Sequence, residues 1–241
     1  MKKGLILIPA FTLMVSFILY RASAEDAAWQ IQPQFDDAWS FSDGLARVRV
    51  NGKGYGYVDR DGNVVIKPQF DSAEDFSEGL ARIQKNLKYG FIDKTGAVVI
   101  EPAYDEALDF SEGLAAVRKG DYSTGRWGFI DREGKTVIGF TFEKVRSFSE
   151  GRAAFEESGQ GKGLLNSAWG FIDREGKKIT DSVYLEAGDF SNGLAPVRVK
   201  TLFGNYIEWG YIDRSGKTAI RAKYASAGSF SEGLAPCLIE N

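Results

Sequence analysis

The feature that most constrains this chain is a stretch it writes twice: RWGFIDREGKTVI from Arg126 and AWGFIDREGKKIT from Ala168. Self-similarity at such a spacing marks a repeat architecture, in which each unit is too small to bury its own apolar face and stacks on its neighbours. Two landmarks run along the chain. FSEGLA or a close variant starts at Phe41, Phe76, Phe110, Phe148, Phe190 and Phe230, and an aromatic-Gly pair falls between copies, with Gly56, Gly90, Gly128, Gly170 and Gly210. Each of these glycines stands 20 residues before the next motif phenylalanine, whereas the spacing from phenylalanine forward to glycine is 15, 14, 18, 22 and 20. A slip of one residue turns every side chain of a strand to the wrong face, so the constant half reads as packed and the variable half as solvent loop.

Within the constant half, WGFID alternates with period two and is apolar on both faces, which marks a strand covered on both sides. The glycine admits a close neighbour. The Asp-x-x-Gly that follows, at Asp59, Asp93, Asp131, Asp173 and Asp213, supplies a capping carboxylate and a residue suited to positive φ, and so reads as a tight hairpin into the next strand. A crossing segment such as EPAYDEALDF then leads to GLAAV, and the unit reads as a three-stranded antiparallel meander. The first copy lacks its aromatic-Gly strand. Six repeats, at about 29–50, 51–84, 85–118, 119–156, 157–200 and 201–241, make one all-β domain over 25–241, either a propeller-like ring or an open β-solenoid.

These residues carry a resemblance. Aromatic-Gly-[Phe/Tyr]-Ile-Asp, a turn glycine, Pro-x-[Tyr/Phe]-Asp and then Phe-Ser-Glu-Gly-Leu-Ala is similar to the bacterial WG-repeat family, over nearly all of residues 29–241. Trp127-Gly128, Trp169-Gly170 and Trp209-Gly210 match its name, and Tyr55-Gly56 and Tyr89-Gly90 depart from it by one aromatic. The resemblance implies an all-β repeat module without catalytic residues to carry over.

Lys2 and Lys3, the apolar run Gly4 to Tyr20 and the small residues Ala22-Ser23-Ala24 have the order of a secretory signal peptide over 1–24, which predicts a mature chain beginning at Glu25 with no stable membrane span and a periplasmic or extracellular location. Cleavage leaves 27 basic and 33 acidic side chains, net −6, which argues against a nucleic-acid partner. Cys237 is the single cysteine and is read as a small core residue. Histidine is absent, which removes Ser-His-Asp triads, Cys-His pairs and imidazole metal sites.

The hairpin aspartates invite a calcium reading, but a basic residue (Arg60, Lys94, Arg132, Arg174, Arg214) follows each of them, so turn capping is expected. Those bases fall in one row and Asp43, Glu78, Glu112, Glu150 and Glu232 in another, read as a mutually paired surface. The carboxylates of AEDF and DEALDF include no pair in apolar surroundings that would raise an acid's pKa, and the motif phenylalanines and tryptophans are read as core. No enzyme, cofactor or metal site is expected. Two functions stay open: an exported scaffold binding another envelope or extracellular protein, or a carbohydrate or cell-wall glycan binding module. The long loops before Gly128, Gly170 and Gly210 are dissimilar, which favours the scaffold. Their side chains Tyr122, Leu164, Leu165, Leu202, Phe203 and Tyr206 are the expected partner-binding residues.

Overall fold

The computed structural model describes residues 34–121, 123–158, 167–200 and 207–239, and all regular structure among them is β-strand. Sheet one holds β1 (Asp37–Ser42), β2 (Leu45–Val50), β3 (Gly54–Val58) and β4 (Val64–Phe70). Sheet two holds β5 (Ser72–Ala73), β6 (Leu80–Lys85), β7 (Lys88–Asp93) and β8 (Val98–Tyr104). Sheet three holds β9 (Glu106–Ala107), β10 (Ala115–Lys119), β11 (Arg126–Ile130) and β12 (Thr136–Phe142). Sheet four holds β13 (Lys144–Val145), β14 (Ala153–Ser158), β15 (Ser167–Ile172) and β16 (Lys178–Tyr184). Sheet five holds β17 (Glu186–Ala187), β18 (Leu194–Lys200), β19 (Ile207–Asp213) and β20 (Thr218–Tyr224), and sheet six only β21 (Ser226–Ala227) and β22 (Cys237–Leu238). The unit is therefore four-stranded, not three-stranded as the repeat pattern suggests. What reads as a crossing segment contains the end of one long strand and, one residue later, a two-residue strand too short to show a period.

The chain divides into two compact units, Met1–Pro102 and Ala103–Asn241, and the division falls inside β8. In both units the aromatic-Gly strand is third of four, so it is hydrogen-bonded along both edges. Its glycine has a specific cause. Tyr55 pairs with Phe70 and Tyr57 with Ile66, so Lys67, Pro68 and Gln69 bulge out opposite Gly56 alone. A Cβ on Gly56 would lie 2.4 Å from the Ile66 carbonyl oxygen, and one on Gly128 would lie 2.6 Å from that of Ile138. The bulge also explains why proline is tolerated at Pro68 and Pro102, since a bulged residue owes the ladder no N–H.

The FSEGLA motif is a two-residue hairpin and a staple. In the second copy Ser77 and Leu80 exchange backbone hydrogen bonds of 2.9 and 3.1 Å. Between them Glu78 has φ 53 and Gly79 φ 81, the left-handed pair of a type I′ turn. An acidic residue at positive φ is costly, and the neighbouring repeat supplies the compensation. In the first unit Asp43 accepts the Gly79 N–H at 2.7 Å, and the Ser42 hydroxyl donates to the Phe76 carbonyl at 2.6 Å. In the second unit Glu112 accepts from Gly151 and Glu150 from Gly193, both at 2.8 Å, while Ser111, Ser149 and Ser191 donate to the carbonyls of Phe148, Phe190 and Phe230 at 2.6 to 2.7 Å.

The motif phenylalanines Phe76, Phe110, Phe148 and Phe190 are fully buried. In the first unit Phe76 lies in a cluster with Tyr57, Ile66, Phe70 and Ile83, and Tyr57 meets it edge-on at 4.8 Å. In the second unit Phe148 meets Phe129 at 4.8 Å and Phe190 meets Phe171 at 5.1 Å. Each core is thus filled by the third strand of one sheet and the motif phenylalanine that follows it. The last sheet breaks the pattern. Cys237 occupies the place of Ile83, Val117, Phe155 and Val197, all buried, yet it is exposed, with Leu234 78% exposed and Leu238 60%. Cys237 is therefore not a core residue: among the described residues sheet six has two strands where the other sheets have four. Its sulfur lies 3.2 Å from the Tyr211 hydroxyl, which burial, with the help of that contact, holds above the ordinary tyrosine range.

Candidate functional site

Among the described residues of the second unit, two clefts are built around third-strand aromatics. The larger, of about 500 Å³, lies between sheet three and the start of sheet four. Its wall is the connection from β10 to β11, the first of the long loops. Asp121 organises it: one carboxylate oxygen accepts the N–H groups of Ser123 and Thr124 at 3.0 and 2.8 Å and both their hydroxyls at 2.9 and 2.8 Å. These bonds, led by the Thr124 amide, hold the Asp121 carboxyl down to about 2. The Asp121 carbonyl in turn accepts from Gly125 at 2.8 Å and from the Arg118 guanidinium at 2.6 Å. Arg118 is buried and reaches Glu106, its cross-strand neighbour, at 2.7 Å. Lys144 pairs with Glu156 at 2.7 Å and Arg126 with Glu143 at 4.0 Å, so the cleft presents compensated charges around Trp127, which is 9% exposed.

The smaller cleft, of about 270 Å³, runs over sheet five. Trp169 and Trp209 both line it, with Arg146, Glu186, Asp189 and Pro196. Arg146 lies 3.9 Å from Asp189 and 5.7 Å from the centre of the Trp169 ring, and Arg198 bonds Glu186. Burial pushes the Asp189 carboxyl up, and Arg146 opposes that shift. Glu186 and Arg198 face each other across β17 and β18 as Glu106 and Arg118 do across β9 and β10, while Lys144 and Glu156 repeat the pair with its charges reversed.

The structural glycines Gly56, Gly90, Gly128, Gly170 and Gly210 all sit beneath the fourth-strand backbone. Their aromatic neighbours divide. Trp127 is buried in the core, as the repeat pattern suggests for the tryptophans, whereas Trp169 and Trp209, like Tyr55 and Tyr89, are half-buried, with Trp169 packed at the edge of a core cluster. The motif phenylalanines fill the core, and the tryptophans line the clefts. The hairpin aspartates cap their turns: Asp173 accepts from Glu175 and Lys177 at 3.2 and 2.8 Å, and Asp213 from Ser215 and Lys217 at 2.8 and 3.1 Å. The acidic and basic rows meet at Glu150 and Arg214, 2.7 Å apart, but the acids also serve backbone amides of the next repeat, a use that spacing alone does not reveal. Tyr122, Leu164, Leu165, Leu202, Phe203 and Tyr206 lie outside the described residues.

Among solved structures the chain is similar to a eukaryotic initiation factor at 15% identity and a TM-score of 0.50, covering 78% of this chain and 56% of that one. It is also similar to the computationally designed Ika8 protein, at 12% identity and a TM-score of 0.47, covering 82% and 66%. A third similarity, to BamB from Moraxella catarrhalis, has 12% identity and a TM-score of 0.43 and covers 80% and 65%. The chain thus spans less than two thirds of the length of each, and the likeness to the initiation factor, at 15% identity, is one of fold alone. No curated protein matches it. The model of the WG containing repeat matches residues 29–53, 55–89, 89–122, 127–160, 169–200 and 209–240, six consecutive copies that each contain one motif phenylalanine and, from the second on, begin at the aromatic before a motif glycine, and the chain belongs to that family.

Proposed function

We propose that this protein is an exported, non-catalytic repeat scaffold that binds another envelope or extracellular protein through the loops between the second and third strands of sheets three, four and five. The observation that carries the reading is the contrast around the third strand. Its hairpin into the fourth strand is closed in sheets one to five by the same aspartate bonds. The connection entering it is a two-residue turn at Asn86–Leu87 in sheet two and a self-capped, cleft-walling loop at Gly120–Gly125 in sheet three. A frame that repeats while one class of loop diverges is how repeat proteins present distinct surfaces on constant supports. The loop sequences supply the anchors: Tyr122, then Leu164 and Leu165, then Leu202, Phe203 and Tyr206.

Export is tested by the intact mass of secreted material, expected to begin at Glu25; mass that includes residues 1–24 would overturn it. Binding is tested by capture from envelope extract with the parent protein and with Leu164, Phe203 and Tyr206 replaced together by serine. The reading expects one partner lost from the variant at unchanged melting temperature. Capture that survives the replacement would refute it.

A further inference from the structure

Among the described residues, the aromatic ring before the motif glycine is covered in sheets one to four and not in the fifth. Tyr55 has the Trp39 ring 5.8 Å away, and Tyr89 has the Arg82 guanidinium 5.5 Å from its centre. Trp127 belongs to the cluster against which Leu108 packs, and Trp169 lies under Arg146 at 5.7 Å. The covering residues occupy one facing pair of positions, just after the short first strand and opposite it on the second. Glu74 donates its N–H to the Arg82 carbonyl, Leu108 to Ala116 and Arg146 to Ala154, at 2.8 to 2.9 Å. In sheet five the same bond, 2.9 Å, joins Gly188 to Pro196. Gly188 has no side chain to lay over Trp209, and it could not gain one with Pro196 in place, because a Cβ would meet the Pro196 Cγ at 2.6 Å. Among the described residues neither a cation nor a second ring lies over Trp209.

The Trp209 ring lines the cleft of about 270 Å³ over sheet five, whose charged groups are already compensated: Arg146 pairs with Asp189 inside the lining, and Glu186 pairs with Arg198 outside it. All four side chains remain between 37% and 51% exposed, so they reach solvent. Such a lining offers no net field to a cation or an anion. It does offer carboxylate acceptors and guanidinium donors beside an apolar indole face. A hydroxyl group can donate and accept, so it bonds either partner without breaking the pairing, and the C–H face of a sugar ring packs on an indole as an aromatic edge does. We propose that the cleft over Trp209 binds the pyranose ring of a neutral carbohydrate. This site is separate from the loop surface assigned to a protein partner and stands whether or not that reading holds.

The test uses the full mature protein, titrated by tryptophan fluorescence with glucose, galactose, N-acetylglucosamine, cellobiose and chitobiose. At least one should bind saturably, and neither acetate nor Nα-acetyl-lysine amide should compete. The double variant Gly188→Arg/Pro196→Ala writes the facing pair of sheet four into sheet five, restoring the cover at a place where the fold already accepts it. It should bind that sugar at least about tenfold more weakly with its melting temperature kept. Should the double variant fold poorly, Asp189→Ser, which copies Ser147 of sheet four, is expected to weaken binding similarly. The proposal is overturned if none of the five sugars binds, if binding is unchanged in the folded variant, or if acetate or the lysine amide displaces the sugar.

Discussion

The two connections that flank the third strand obey opposite rules. The one leaving it is constant: Asp59, Asp93, Asp131, Asp173 and Asp213 each accept backbone N–H bonds from residues two and four positions on, and their own N–H bonds the carbonyl four positions on. The one entering it changes in length and content from sheet to sheet. The difference follows from what each touches. The leaving hairpin packs on the preceding sheet, where a Cβ on Gly96 would stand 3.2 Å from Ile66 and one on Gly176 3.1 Å from Ile138, so its shape is fixed by a neighbour. The Gly120–Gly125 loop is held by its own Asp121 and by Arg118 and Glu106 of the same sheet, and can differ without disturbing the next. Stability is thereby concentrated on one side of the strand and freedom to diverge on the other.

The largest effect that would sharpen this contrast is expected at the strand itself. Gly128→Val should cost about 3 kcal/mol, because its side chain would have to displace the bulged backbone of β12, and urea denaturation would measure it. Next comes the staple between repeats. Ser149→Ala removes the hydroxyl that donates to the Phe190 carbonyl at 2.7 Å and should cost about 1 kcal/mol; no change would mean that the sheets are held by their apolar cores alone. The hairpin carboxylates should contribute less, through pH. The side chains of Asn63, Thr95 and Ser215 are the leading cause holding Asp59, Asp93 and Asp213 below the ordinary carboxylate range. A group depressed in the folded state stabilises above its unfolded pKa and loses that contribution as pH falls through the folded value. The melting temperature should therefore fall below about pH 4, less steeply in Asp213→Asn. By contrast Asp121 titrates at about 2, so the loop bonds it makes should persist, by NMR, at pH values where the hairpins are loosening.

Much of the frame was legible in the sequence, and its limits are physical. The third strand, its glycine and the Asp-x-x-Gly hairpin depend on residues close together in the chain, and period and turn chemistry expose them. The staples do not: Ser42 to Phe76 spans 34 residues and Ser149 to Phe190 spans 41, so the acids of FSEGLA read only as a row of a mutually paired surface and the serines carried no signal. The short first strands, Glu106–Ala107 among them, hold two residues and carry no period. Cys237 was read as core because a lone cysteine behaves as a small apolar residue, and among the described residues sheet six holds only two strands. The clefts were hidden for a related reason. Only the partner across the sheet decides whether a half-buried ring is covered, by Arg146 in one repeat, or left open, by Gly188 in the next.

The smallest expected effect tests the central claim, that frame and recognition are separable along one strand. Residues 120–125, 159–166 and 201–206 would each be replaced by Asn-Gly-Lys, the connection between β2 and β3, and the melting temperature measured by calorimetry beside partner capture. The account expects the melting temperature to stay within about 4 °C of the parent, the shift that about 1 kcal/mol gives at this size, while capture is lost. A fall far beyond that, or capture that persists, would contradict it.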